Sequence, residues 1–208
     1  MKVKILLIII CLITVECCLA QNPRQYKSWN PATDTLKVLE GQYWPFEVKD
    51  YYDRLPAAAE HIVRKEVWNL SKNSAGLQLR FQTNASEIVV KYIVSGTLQF
   101  PHMPATGVSG IDLYAKTIDG ERAWSAGRYS FGDTIIYRFN NLTVTDRHVN
   151  NREYILYLPL YNSVKWMEIT VPKLSLFKTI PARKDRLWYN HSGDAPGRFG
   201  MDKYLTRN

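Results

Sequence analysis

Leu77-Gln78-Leu79-Arg80-Phe81-Gln82 alternates apolar and polar side chains without a break. Successive side chains of a strand point to opposite faces, so this period of two marks a strand with one face in a core and the other toward water. The same reading extends outward along the chain. Ile88 to Val94 is a β-branched run in which Lys91 and Tyr92 take opposite faces. Further strands are predicted at 111–117, 134–139, 153–160 and 164–171, divided by loops that hold Gly120, Gly127, Gly132 and Asn140-Asn141. Only Arg54 to Leu70, with Ala57-Ala58-Ala59, suggests a short helical turn. Short strands at this spacing with few helical patterns predict an all-β fold. The expected architecture is an antiparallel, jelly-roll-like β-sandwich rather than an α/β domain.

The first twenty residues read as a signal peptide. Lys2 and Lys4 form a positive start, Ile5 to Val15 is an apolar run, and Cys18-Leu19-Ala20 places small residues before Gln21. The run is too short for a stable membrane span, which needs about 20 apolar residues. Glu16 before Cys17 argues against lipoprotein acylation, so a secreted or periplasmic protein is expected. Cys11, Cys17 and Cys18 all fall in this leader, and a mature chain without them has no disulfide, thiolate metal site or cysteine nucleophile. The organisation expected is a signal peptide at 1–20, a lead-in at 21–42, one sandwich at 43–177 and a linker with a tail at 178–208.

The formal charge of +8 raises the question of nucleic acid. Its basic residues are scattered singly and not interleaved with aromatics along a groove, so a nucleic-acid partner is not expected. Loose attraction to acidic polysaccharide or an anionic envelope surface is the plainer consequence. The four histidines, His61, His102, His148 and His191, show no metal-ligand spacing, and neither a metal nor a cofactor is expected.

Between the strands at 88–94 and 111–117 lies a loop punctuated by Pro101, Pro104, Gly107 and Gly110, which runs into Gly110-Ile111-Asp112-Leu113-Tyr114. That string resembles the signature of the N-terminal β-sandwich domain of secreted SGNH/GDSL-type hydrolases. Val67-Trp68-Asn69-Leu70-Ser71, Ser74-Ala75-Gly76-Leu77, Arg152-Glu153-Tyr154 and Leu156-Tyr157-Leu158-Pro159-Leu160-Tyr161-Asn162 resemble the same family. The resemblance implies an accessory domain that precedes a catalytic one, with ester chemistry on carbohydrate-like substrates in the full-length relatives.

No catalytic residue is expected in this chain. Ser192, in Trp188-Tyr189-Asn190-His191-Ser192-Gly193-Asp194, follows a poor strand, and a lone serine is not activated without a base within hydrogen-bond reach. The residues from about Leu187 onward are expected to be out-of-frame translation of a former catalytic start, since Asn190 to Gly200 has no period and no apolar face. The candidate substrate-binding or domain-interface residues are His102, Asp112, Tyr114 and Trp124. Trp124 is expected to be exposed, beside Gly120 and Gly127. A bland structural assignment competes with these roles: Asp112 capping loop N–H groups, Tyr114 filling the core and His102 bonded to a backbone carbonyl. The functional expectation is a truncated hydrolase fragment without activity of its own, its expected partners the missing catalytic domain and polysaccharide. The alternative is a free-standing carbohydrate-binding module, which a planar row of exposed aromatics would favour.

Overall fold

The apolar positions of the alternating segments meet face to face from two sheets. A computed structural model describes residues 25–183, apart from 43, 45, 118, 141 and 143–151. In chain order its strands are β1 (Tyr26–Trp29), β2 (Leu39–Glu40), β3 (Gln78–Thr83), β4 (Ile88–Val94) and β5 (Asp112–Lys116). They continue with β6 (Arg122–Ser125), β7 (Arg128–Ser130), β8 (Ile135–Phe139), β9 (Arg152–Tyr157), β10 (Val164–Pro172) and β11 (Phe177–Thr179). The first sheet has the order β1-β10-β4-β8-β7 and the second β11-β3-β9-β5-β6, with β2 also paired to β3. Every strand pairing is antiparallel. The chain crosses between the sheets repeatedly, so this is the antiparallel sandwich that the period of two predicts.

Register fixes which side chains share a face. Across the second sheet Leu79, Leu156 and Leu113 lie in line, as do Phe81, Tyr154 and Ala115, and all six are buried. Opposite them, Val90 of β4 aligns with Ile169 and Tyr137, and Tyr92 with Met167 and Ile135. These rows form one core, in which each fully buried Leu, Ile or Phe contributes about 1.5–3 kcal/mol over the exposed state. One side of the sandwich is closed by Trp29, Phe81 and Phe177, with ring centroids 5.3–6.3 Å apart.

The segment 21–42, expected as a lead-in, contributes structure from residue 26. Its β1 pairs along β10 from Tyr26↔Pro172 to Trp29↔Ile169, and Leu39 of β2 sits opposite Leu79. Helical structure is confined to 3-10 turns at Pro31–Thr33 and Ala57–His61 and to helices at Lys65–Ser71 and Ala105–Val108. No helix among the described residues is long and apolar enough to cross a membrane. The expected signal peptide, the three cysteines, Ser192 and the tail from Leu187 lie outside the described residues.

Candidate functional site

The signature segment begins with a tight turn, in which Phe100 and Met103 exchange backbone hydrogen bonds of 3.0 and 3.1 Å. Pro104 then opens the single helical turn Ala105–Val108, where its fixed φ and missing donor cost nothing. Gly110 follows because no side chain fits. A Cβ there would stand 2.1 Å from the Thr106 carbonyl oxygen and 2.9 Å from the Tyr137 hydroxyl. β5 starts directly after, and its pleat sends Ile111, Leu113 and Ala115 into the core.

The loop is held from a distance. The Asn162 carboxamide accepts from the N–H groups of Gly96 at 2.8 Å and Ser163 at 2.9 Å. It donates to the Thr97 carbonyl at 3.0 Å and to Ser109 Oγ at 2.9 Å. Ser109 Oγ in turn donates to the Leu98 carbonyl at 2.8 Å, and the Ser109 carbonyl accepts from the Tyr92 hydroxyl at 2.6 Å. Asn162, Ser109 and Tyr92 are all buried. Burial pushes the Tyr92 phenol well above its ordinary range, and burial likewise raises Tyr137 to about 12 against a hydrogen bond from Ile111. This network accounts for Asn162 at the end of the 156–162 segment. It assigns that part of the motif to architecture.

Asp112 does not cap the loop. It is exposed on the outer face of β5 and accepts a 3.1 Å hydrogen bond from Trp124 Nε1. Tyr114 is not in the core either: it lies half-buried on the same outer face, edge-on to Tyr157 at 5.7 Å and 88°. His102 is exposed and stacks on Phe100 at 5.9 Å, without a backbone carbonyl as partner. The reason is parity: with Ile111 and Leu113 inward, Asp112 and Tyr114 must face out. The fold therefore brings Asp112, Tyr114 and Trp124 together and leaves His102 on its own turn. Trp124 is 60 % exposed, in line with its turn-rich surroundings.

Sequence reasoning missed the neighbours of this trio. Outward-facing residues of the second sheet align as Arg80–Ile155–Tyr114–Trp124, flanked by a row containing Tyr157 and Asp112 and one containing Glu153, Lys116 and Arg122. An Arg122 guanidinium nitrogen reaches the Tyr157 hydroxyl at 2.5 Å. At the β2–β3 edge Glu40, 3 % exposed, receives hydrogen bonds from Gln78, from Arg80 Nε at 2.6 Å, and from the backbone and side chain of Arg183 at 3.2 Å each. Burial alone would raise this carboxyl, but the bonds from Arg183, Gln78 and Arg80 together hold it below its usual range. Alternation at Leu79-Arg80-Phe81 does place Arg80 outward; nothing in the sequence pairs it with residue 40 or 183.

The two described histidines, His61 and His102, hydrogen-bond no serine, threonine or carboxylate among the described residues. No group of three or more His, Cys, Asp or Glu among those residues could hold a metal ion.

The profile of the family described as GxDLY, the N-terminus of the SGNH-hydrolase type of esterase, matches residues 26–177. The chain belongs to this family. A GDSL-like lipase from Bacteroides ovatus ATCC 8483 superposes with a TM-score of 0.63 at 26 % identity, over 76 % of this chain and 44 % of that one. The salicylyl-acyltransferase SsfX3 of a tetracycline biosynthetic pathway shares the fold at a TM-score of 0.51 and 16 % identity, over 74 % of this chain and 42 % of its own. The GxDLY chain thus spans less than half the length of these structures. No curated protein sequence matches it.

Proposed function

We propose that this chain serves as the accessory N-terminal domain of an exported SGNH-type ester hydrolase acting on carbohydrate-like esters, with the catalytic groups supplied by a following domain. The observation that carries the reading is the family match over residues 26–177. The described residues fit an accessory part: they assemble a rigid sandwich and an aromatic outer face, and they pair no nucleophile with a base. Export rests on the leader-like start of the sequence, and the substrate class on the family resemblance.

A free-standing carbohydrate-binding module has one observation in its favour, the exposed Trp124. A sugar platform, however, needs coplanar rings, and Tyr114 meets Tyr157 at 88°. Tyr114 and Tyr157 therefore cannot both lie in the Trp124 plane, and the three rings make no flat row.

The test is hydrolysis by the purified chain compared with the polypeptide that carries it together with a catalytic domain. The chain alone is expected to leave p-nitrophenyl acetate and acetylated xylo-oligosaccharides intact, and the longer polypeptide to turn both over. Turnover by the chain alone that disappears in Ser192→Ala would refute the accessory reading. Hydrolysis of the simple ester without the acetylated sugar would refute the substrate class.

A further inference from the structure

We propose that the outer face of the second sheet is the seat of the catalytic domain, with the Glu40 cluster fixing where the chain enters it. The inference rests on the accessory-domain reading and adds the surface.

Its first support is the path of the chain. After β11 the backbone stays attached to the β3 edge: Ile180 N–H donates to the Arg80 carbonyl at 3.2 Å and Ala182 N–H to the Lys37 carbonyl at 2.8 Å. Arg80 then holds the Pro181 carbonyl at 3.2 Å, and Arg183 closes on Glu40. Glu40, Gln78 and Arg80 all face outward on the second sheet, as the inward neighbours Leu39, Leu79 and Phe81 require. The last described residues are therefore delivered onto this face, not over the rim toward the other sheet.

The second support is what the face presents. Sandwich surfaces normally alternate polar residues toward water. The first sheet mixes both kinds on its outer face, with Lys91 between Glu168 and Ile136, Val89 between Thr170 and Arg138, and Ile93 beside Trp166. The second sheet gathers three aromatic rings, Tyr114, Trp124 and Tyr157, beside the buried Ile155, with Asp112 and Arg122 at the margin. Aromatics at the centre with polar groups at the rim is the make-up of protein interfaces. From Arg80 to Trp124 is three strand spacings of about 4.8 Å, roughly 14 Å, so a domain entering at Arg183 covers the patch without a long tether.

The third support is the occupant. The Bacteroides ovatus lipase holds more than half its length outside the superposed region, since only 44 % of it is covered. The family match is to the N-terminus of such an esterase, so a following domain is joined through the chain that leaves the clamp beside this face.

The experiment is hydroxyl-radical footprinting of the native polypeptide carrying both domains, compared with this chain alone. Tyr114, Trp124 and Tyr157 are expected to be oxidised in the isolated chain and protected at least fivefold in the longer one. Adding the separately produced catalytic domain to the chain should give saturable binding, weakened tenfold or more by Trp124→Ala and unchanged by Lys91→Glu on the opposite sheet. Thermal midpoints confirm that both variants fold. If the catalytic domain is present and active while the three rings stay accessible, the docking surface is wrong and the accessory reading survives. If the native polypeptide carries no catalytic domain, the accessory reading falls and takes the docking surface with it.

Discussion

Replacing Asn162 by alanine tests the claim that the signature loop is held by a residue outside it. The variant removes four hydrogen bonds at a side chain that is 2 % exposed. The N–H groups of Gly96 and Ser163 lose their acceptor, and each buried donor left unpaired costs about 1–3 kcal/mol. The Thr97 carbonyl also loses its partner, whereas Ser109 Oγ keeps its bond to Leu98. Water entering the space of the lost carboxamide recovers part of the total, leaving an expected loss of about 3 kcal/mol. With a urea slope of about 2 kcal/mol per M for a domain of this size, the midpoint should fall by about 1.5 M at unchanged slope. The assay is urea unfolding of the full chain followed by tryptophan fluorescence. Asn162→Asp is the sharper variant, since it keeps the two acceptor bonds but turns an oxygen toward the Thr97 carbonyl; it should be at least as destabilising. A midpoint shift below about 0.5 M in both variants would show that the loop holds its own shape and that the Asn162 network is incidental.

Asp112→Ala should cost less than about 1 kcal/mol in the same assay, because the carboxylate is exposed and its one bond is to an exposed indole; a larger loss would mean that it holds loop donors after all. Gly110→Ala should cost several times more, about 3 kcal/mol or above, since its methyl would stand 2.1 Å from a backbone oxygen; soluble expression and the unfolding midpoint report it. The Glu40 carboxyl is depressed in the folded state, so its contribution is present above the unfolded carboxylate range and is lost as pH falls through the folded value. The stability gap between the native chain and Glu40→Gln should therefore be widest near neutral pH and close in acid below the ordinary carboxylate range; a gap independent of pH would refute the assignment. Burial of Tyr51 and Tyr137 raises both phenols to about 12, so each favours the folded state below its ordinary range and this support is lost as pH climbs toward 12. Absorbance at about 295 nm should show these phenols ionising after the exposed ones; a single transition at the ordinary phenol range would contradict their burial.

How much of this was legible in the sequence depends on how far each contact reaches along the chain. β3, β4, β5, β8, β9 and β10 were readable because four or more alternating or β-branched residues carry their own period. β1, β2, β6, β7 and β11 were not, since two to four residues make no countable period and their partners are remote, as in Tyr26↔Pro172 and Leu39↔Leu79. The same division runs through the site. Trp124 could be placed at the surface from the glycines on either side, and alternation at Ile111-Asp112-Leu113 already turned the acid away from the core. What local reasoning then supplied, a capping role for Asp112, was a guess at the nearest available acceptor. The fold uses an amide 53 residues away from Ser109 instead.

That displacement of roles bears on the family string itself. Gly110 is present for lack of space, Ile111 and Leu113 for the core, and the loop is secured elsewhere. Asp112 and Tyr114 are then the two members of the motif that the sandwich does not need for its interior. Both stand on the outer face, bonded or packed to Trp124 and Tyr157, at the surface proposed to receive the catalytic domain. Three members of the signature thus build the strand, and the other two face what lies beyond it. A double change, Asp112→Ala with Tyr114→Ala, separates these two sets. It should leave the unfolding free energy within about 1 kcal/mol of the parent while lowering affinity for the catalytic domain, whereas Ile111→Ala with Leu113→Ala should lower stability by about 4 kcal/mol or more. If the outward pair proved as destabilising as the inward pair, the motif would be a folding element throughout and its outer face would lose its claim to a partner.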